Sequence, residues 1–120
     1  MDRHRWRLDG QLALVTGGSA GIGRAIAREL LGFGADVVIV ARDGDALETA
    51  REELLEEFPD GQVRGLIGDV ADDEQRREIL DWVEDQGRGL NILVNNAGGN
   101  LSRGTTEYSE DEWREIFEVN

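Results

Sequence analysis

The chain has no cysteine and no lysine, and only one proline, one histidine and one tyrosine among its 120 residues. Each scarcity excludes something. Without cysteine there is no disulfide, no thiolate nucleophile and no cysteine-ligated metal. The single histidine, His4, stands among arginines near the amino end, so a histidine metal cluster or triad cannot be assembled and no metal site is expected. No apolar run approaches the roughly 18 residues of a membrane-spanning helix. No apolar signal segment opens the chain, so a cytoplasmic setting without a membrane partner is the expectation. The 13 basic residues are all arginine and face 26 Asp and Glu, for a net charge of −13. That surface repels phosphate backbones and anionic lipid, so nucleic acid is not an expected partner. Acid excess without lysine suits a high-salt cytoplasm, and arginine-rich coding bias explains the missing lysine equally well.

What remains is a globular chain of one-domain length, with 39% apolar residues and 16 glycines. Short β-rich runs alternate with helical patterns, which predicts βαβ units and a parallel sheet. Leu12 to Thr16 reads as a strand buried on both faces. Ile22, Ile26, Leu30 and Phe33 then recur at helical spacing. Val37 to Val40 is the second strand. Leu47, Leu54 and Phe58 mark a second helix with Glu48, Glu52, Glu53, Glu56 and Glu57 on its outer face. Val63 to Ile67 is a weaker third strand. Asp72 and Gln75 resemble a capping box opening a helix with Ile79 and Val83 inward and Gly87 past its end. Asn91 to Val94 is the fourth strand. Ser109 and Glu112 form a second capping box, before a helix carrying Trp113, Ile116 and Phe117. Tyr108, Trp6, Trp82 and Trp113 read as packing residues.

The strongest motif is Thr16-Gly17-Gly18-Ser19-Ala20-Gly21-Ile22-Gly23, between the first strand and the first helix. Gly17 permits a tight turn, Gly21 removes a Cβ from the path of a pyrophosphate, and Gly23 permits close packing of helix on strand. The helix start behind it offers N–H groups and a partial positive charge to phosphate oxygens. The Lys-Ser/Thr ending of a P-loop is missing. Asn95 and Asn96, followed by the small pair Ala97-Gly98, suggest backbone held close to a ligand. Asp69 reads equally as a turn or capping residue and as a ligand contact.

Spacing at Gly17, Gly21 and Gly23 resembles the TGxxxGIG motif of the short-chain dehydrogenase/reductase family. Asn95-Asn96-Ala97-Gly98 is similar to its NNAG motif, and Gly68-Asp69-Val70 to its adenine-contacting Asp-Val pair. Arg5-Trp6, Leu8, Ala13 to Gly18, Gly32 to Ala35 and Ala41-Arg42 resemble tropinone-reductase-like members. The likeness covers the chain but only the amino-terminal half of the family's fold. It implies a Rossmann-type α/β domain over residues 1–120, with strand order 3-2-1-4. It also implies an oxidoreductase moving a hydride between a nicotinamide dinucleotide and a small carbonyl or alcohol substrate. The implied cofactor contacts are Gly17, Ser19, Ala20, Gly21, Ile22, Gly23, Arg42, Asp69, Val70, Asn96, Ala97 and Gly98.

NADP is expected in preference to NAD. A carboxylate that would accept the ribose 2′-OH is absent at Ala41, and Arg42 can bind a 2′-phosphate bidentately. Asp43 beside it, and Ala20 where many NADP-using relatives carry a basic residue, point the other way. Asn120 shares a helical face with Trp113, Ile116 and Phe117, and by resemblance it is the asparagine of an Asn-Ser-Tyr-Lys catalytic group. The Tyr-x-x-x-Lys pair and the catalytic serine have no counterpart, since Glu112 stands four residues after Tyr108. The expectation is therefore the cofactor-binding half of an enzyme, inactive alone, with a non-catalytic nucleotide-binding module as the alternative. The apolar fourth strand is expected to be an unpaired edge that leaves the 120-residue chain aggregated, partly unfolded or dimerised through it, and a homo-oligomer is the expected assembly.

Overall fold

The computed structural model describes residues 7–96. Over them the elements run β1 (Leu12–Thr16), α1 (Gly21–Gly32), β2 (Asp36–Ala41), α2 (Gly44–Glu57), β3 (Val63–Ile67), α3 (Asp73–Asp85) and β4 (Ile92–Asn95). All strand pairs are parallel, in the order β3-β2-β1-β4. This is the expected fold. The second capping box and the helix with Trp113, Ile116, Phe117 and Asn120 lie outside the described residues.

The period of two along a strand sends alternate side chains to opposite faces of the sheet. Ala13, Val15, Val37 and Ile39 meet Ala27 and Leu31 of α1 and Leu47, Ala50 and Leu54 of α2. Leu12, Leu14, Val38 and Val40 meet Ile79, Leu80 and Val83 of α3. Burying a Val, Leu or Ile side chain contributes roughly 1.5–3 kcal/mol, so β1 and β2, covered on both faces, anchor the sheet. At the sheet edge β3 runs from buried Val63 to Ile67, which is 70% exposed. The weaker strand pattern of that segment reflects its edge position.

The apolar residues that recur at helical spacing in α1 are not the ones it buries most deeply. Gly23, Ala27 and Leu31 are buried, whereas Ile22 is 71% exposed and Ile26, Leu30 and Phe33 are half-buried. The reason is steric. An added Cβ on Gly23 would sit 2.2 Å from the Gly17 carbonyl oxygen and 2.8 Å from the Asn96 side-chain nitrogen. The helix approaches the strand ends along Gly23 and Ala27, with Leu31 buried beyond them and Leu30 packed against the same core from the flank.

Both capping residues of α2 and α3 are aspartates. Asp43 accepts from the N–H groups of Asp45 and Ala46 at 3.0 and 3.2 Å, and Asp72 accepts from the Gln75 N–H at 3.0 Å. The reciprocal half of the expected capping box is not made. The Asp72 N–H is already bonded to the Asp69 carbonyl, so the Gln75 side chain reaches further back, to the Asp69 N–H at 2.8 Å. Trp82 packs as expected against the α3-side core, with Arg64 over its ring at 5.5 Å.

Candidate functional site

In a parallel sheet every loop that follows a strand opens on the same edge. Register places Thr16 beside Val40 and Asn95, and Ala41 beside Ile67. The turns after β1, β2, β3 and β4 therefore line one rim. Gly17 to Gly23, Arg42, Asp69, Val70 and Asn96 all fall on it.

The glycine turn is held at its base and open at its tip. The N–H groups of Gly17 and Gly18 both point to the Val40 carbonyl, at 2.8 and 3.3 Å. Gly17 has φ +66 and Gly21 φ +58, a left-handed backbone that glycine adopts without strain. A Cβ on Gly21 would meet nothing within 4 Å, so its outer side is clear. Ser19 is half-buried, and Ala20, Gly21 and Ile22 are exposed. Among the described residues the start of α1 carries no side-chain cap: Ala20 occupies that position in an extended conformation, and the first turn holds no acid. A helix start without acceptor or carboxylate leaves its N–H groups and positive dipole end for an external anion.

Thr16 ties this turn to the end of β4. Its buried hydroxyl donates toward Asn95 Oδ1 at 3.1 Å and accepts the Asn96 N–H at 2.8 Å. Asn95 is the last residue of β4 rather than a residue beyond it. Its buried side-chain nitrogen has no hydrogen-bond partner among the described residues. The Asn96 side chain stands against Gly23, as noted. Of the expected contacts beyond this point, Ala97, Gly98 and Asn120 lie outside the described residues.

On the neighbouring strands, the Gly68 N–H bonds the Ala41 carbonyl at 2.9 Å, which sets the turn containing Asp69 beside that containing Arg42. Arg42 is exposed. Asp43, which spoke against a phosphate there, is committed to capping α2. Asp69 does serve its turn, accepting the Ala71 N–H at 2.9 Å, while one carboxylate oxygen remains outside that bond. Val70 is anchored in the core at 6% exposure. Sequence reasoning missed Arg76, a buried arginine that bonds the Val70 carbonyl at 2.7 Å. A charged residue one turn into a helix reads as surface, and only its place after a tightly capped turn could have signalled otherwise.

A cavity of about 510 Å³ lies at the opposite end of the sheet, lined by residues that include Leu12, Asp36, Arg51, Arg64, Trp82 and Arg88. Two of its arginines are paired there, Arg88 with Asp36 and Arg51 with Glu48. That neutralisation makes it a poor anion site. The open rim, with an uncapped helix, fits phosphate; among the described residues no cluster of three metal-ligating side chains occurs.

Comparison with known proteins agrees with this geometry. The family model for short chain dehydrogenases matches residues 11–120. A tropinone reductase homolog of Arabidopsis thaliana is 40% identical over 125 residues, covering 99% of this chain and 44% of the relative. Another from the same plant is 45% identical over 116 residues, covering 94% and 36%. L-sorbose reductase from Gluconobacter frateurii, complexed with NADPH and L-sorbose, aligns with a TM-score of 0.73 at 35% identity, over 92% of this chain and 43% of that one. An NADPH-bound short chain oxidoreductase from Pseudomonas aeruginosa PAO1 with an atypical catalytic center gives 0.74 at 38% identity, over 91% and 42%. The chain spans less than half the length of these relatives.

Proposed function

This chain belongs to the short-chain dehydrogenase family, and from that premise we propose that its strand-end rim holds NADP(H) for an oxidoreductase acting on a small carbonyl or alcohol. The observation that carries the reading is the bare start of α1 behind the open Gly21. It is supported by the NADPH present in the sorbose reductase and Pseudomonas structures. In this reading Gly17, Ser19, Ala20, Gly21, Ile22 and Gly23 receive the pyrophosphate, and Arg42 binds the ribose 2′-phosphate. Asp69 and Val70 receive the adenine, and Asn96, with Ala97 and Gly98 after it, lines the way toward the nicotinamide. When bound, the dinucleotide supplies or accepts the hydride exchanged with the substrate carbon. Asn120 is the one member of the family's catalytic group that this sequence carries, and residues 1–120 form the cofactor-binding part.

Titration of the chain with NADPH and with NADH tests this, using the parent and Arg42→Ala. The parent is expected to bind both, NADPH more tightly. Removing one charge-assisted phosphate contact should raise the NADPH Kd about tenfold and leave the NADH Kd nearly unchanged. Equal losses for both cofactors would show that Arg42 does not read the phosphate. A parent chain that binds neither overturns the reading.

A further inference from the structure

Taking Asp69 and Val70 as the receivers of the adenine, as above, we propose that Arg76 and Gln75 are positioning residues. They hold that pair as an acceptor and a donor matched to the adenine edge, and so make the site selective for the base. The Arg76 side chain is 7% exposed, a costly place for a guanidinium unless its hydrogen bonds are met. Nη1 donates to the Val70 carbonyl at 2.7 Å, and Nη2 donates to Asp73 Oδ1 at 2.5 Å. Asp73 itself is 92% exposed, so that ion pair alone would not require Arg76 to be buried. The bond to the carbonyl of buried Val70, by contrast, draws the guanidinium inward.

The residue beside it completes the hold. Gln75 Oε1 accepts the Asp69 N–H at 2.8 Å. Two consecutive side chains of α3 thus grip two consecutive backbone units of the turn, one as donor and one as acceptor. Asp69 also bonds Ala71 N–H through Oδ1, its carbonyl takes the Asp72 N–H at 3.0 Å, and the Val70 side chain is buried. Two polar groups are left over in a fixed orientation. One is the second carboxylate oxygen of Asp69. The other is the Val70 N–H, which has no partner among the described residues. An acceptor beside a donor suits adenine, whose 6-amino group donates and whose N1 accepts. Hypoxanthine presents the inverse, with O6 accepting and N1–H donating.

The test compares binding of NADPH and of its hypoxanthine analogue to the parent chain, Arg76→Met, Arg76→Lys and Gln75→Leu. The parent should prefer the adenine cofactor by about tenfold or more, the scale on which a site built for hydrogen bonds rejects a mismatched partner. In Arg76→Met the preference should fall toward unity, because NADPH binding weakens while analogue binding barely changes. Arg76→Lys, which keeps one donor, should retain part of the preference. Gln75→Leu should lose most of it. A merely structural Arg76 would weaken both cofactors alike and leave their ratio intact, and that result overturns the proposal. If Arg76→Met does not fold, Arg76→Lys and half-buried Gln75→Leu decide the matter by the same ratio. A parent that binds NADPH without base preference overturns this proposal alone, and a parent that binds neither cofactor overturns it together with the functional reading.

Discussion

The three described helices begin in two different ways. Helices α2 and α3 start on an aspartate whose carboxylate accepts first-turn N–H groups, and each has acid in its first turn as well. Helix α1 starts on Ala20, with no side-chain acceptor and no acid. The chain has 26 acidic residues to spend, so their absence from this one helix start is selective. Capping an N-terminus with Ser, Thr, Asp or Asn is worth about 0.5–2 kcal/mol over alanine, and α1 forgoes that. On the proposed reading, the phosphates of the dinucleotide supply the acceptor that this helix start, next to a clear-sided glycine turn, lacks. The same physics that closes α2 and α3 leaves α1 open.

The most damaging way to break this contrast is to move α1 itself. Gly23→Ala sets a methyl 2.2 Å from the Gly17 carbonyl oxygen and 2.8 Å from the Asn96 side-chain nitrogen, so the Gly17 backbone or the helix must shift. Overpacking of this kind costs typically about 1–3 kcal/mol, and the displacement reaches the glycine turn and Asn96 together. Thermal unfolding should show a Tm lowered by several degrees, and NADPH titration should show binding lost. Unchanged binding would mean that close packing of α1 does not shape the turn.

Ala20→Asp makes the start of α1 like the other two, and it should move stability and binding in opposite directions. Ala20 already has the extended backbone of a capping residue, φ −153 and ψ 165, so the new carboxylate can accept first-turn N–H groups without rearrangement. The expected gain is about 1 kcal/mol, read as a raised Tm. NADPH should bind at least about tenfold more weakly, since the carboxylate occupies the donors and repels phosphate. The mirror change, Asp72→Ala, should lower Tm by a similar amount. A raised Tm with unchanged NADPH affinity would separate the uncapped helix from cofactor binding.

Much of this was legible in the sequence because the relevant signals are local. The apolar runs of β1 and β2, the turn residues between elements and the aspartate at the start of α3 each report the backbone directly, and right-handed crossovers then leave few sheet orders to choose among. Which residues α1 buries most deeply was not legible. The larger apolar side chains of Ile22, Ile26, Leu30 and Phe33 outweigh Gly23, Ala27 and Leu31 in any periodicity count, whereas packing favoured the residues that let backbone approach backbone. Arg76 and the Thr16–Asn95–Asn96 contacts were hidden for a related reason. A buried polar residue is recognised by its partners, and those partners lie 79 and 80 positions away for Thr16.

A smaller effect sharpens the contrast along the side of α1 rather than at its end. Lacking a cap, α1 is tied laterally to α2: Arg24 meets Glu53 at 2.7 Å, and Arg28 grips Glu57 through Nε and Nη2, with contacts as short as 2.6 Å. The hydrogen bonds to Glu57, and then its charge, raise the Arg28 pKa above the ordinary guanidinium value. A raised folded pKa gives stability that is complete below the unfolded value and lost only as pH climbs through the folded one. Arg28's share should therefore not vary with pH near neutrality, and salt is the variable that reveals it. The two side chains keep 53% and 41% of their surface exposed, and screening shortens from about 8 Å at 0.15 M salt to about 3 Å at 1 M. Glu57→Gln should lower Tm slightly at low salt, with the difference fading as salt rises. A Tm difference that persists undiminished at 1 M salt would show that Glu57 holds α1 by packing and neutral hydrogen bonds, and not by charge.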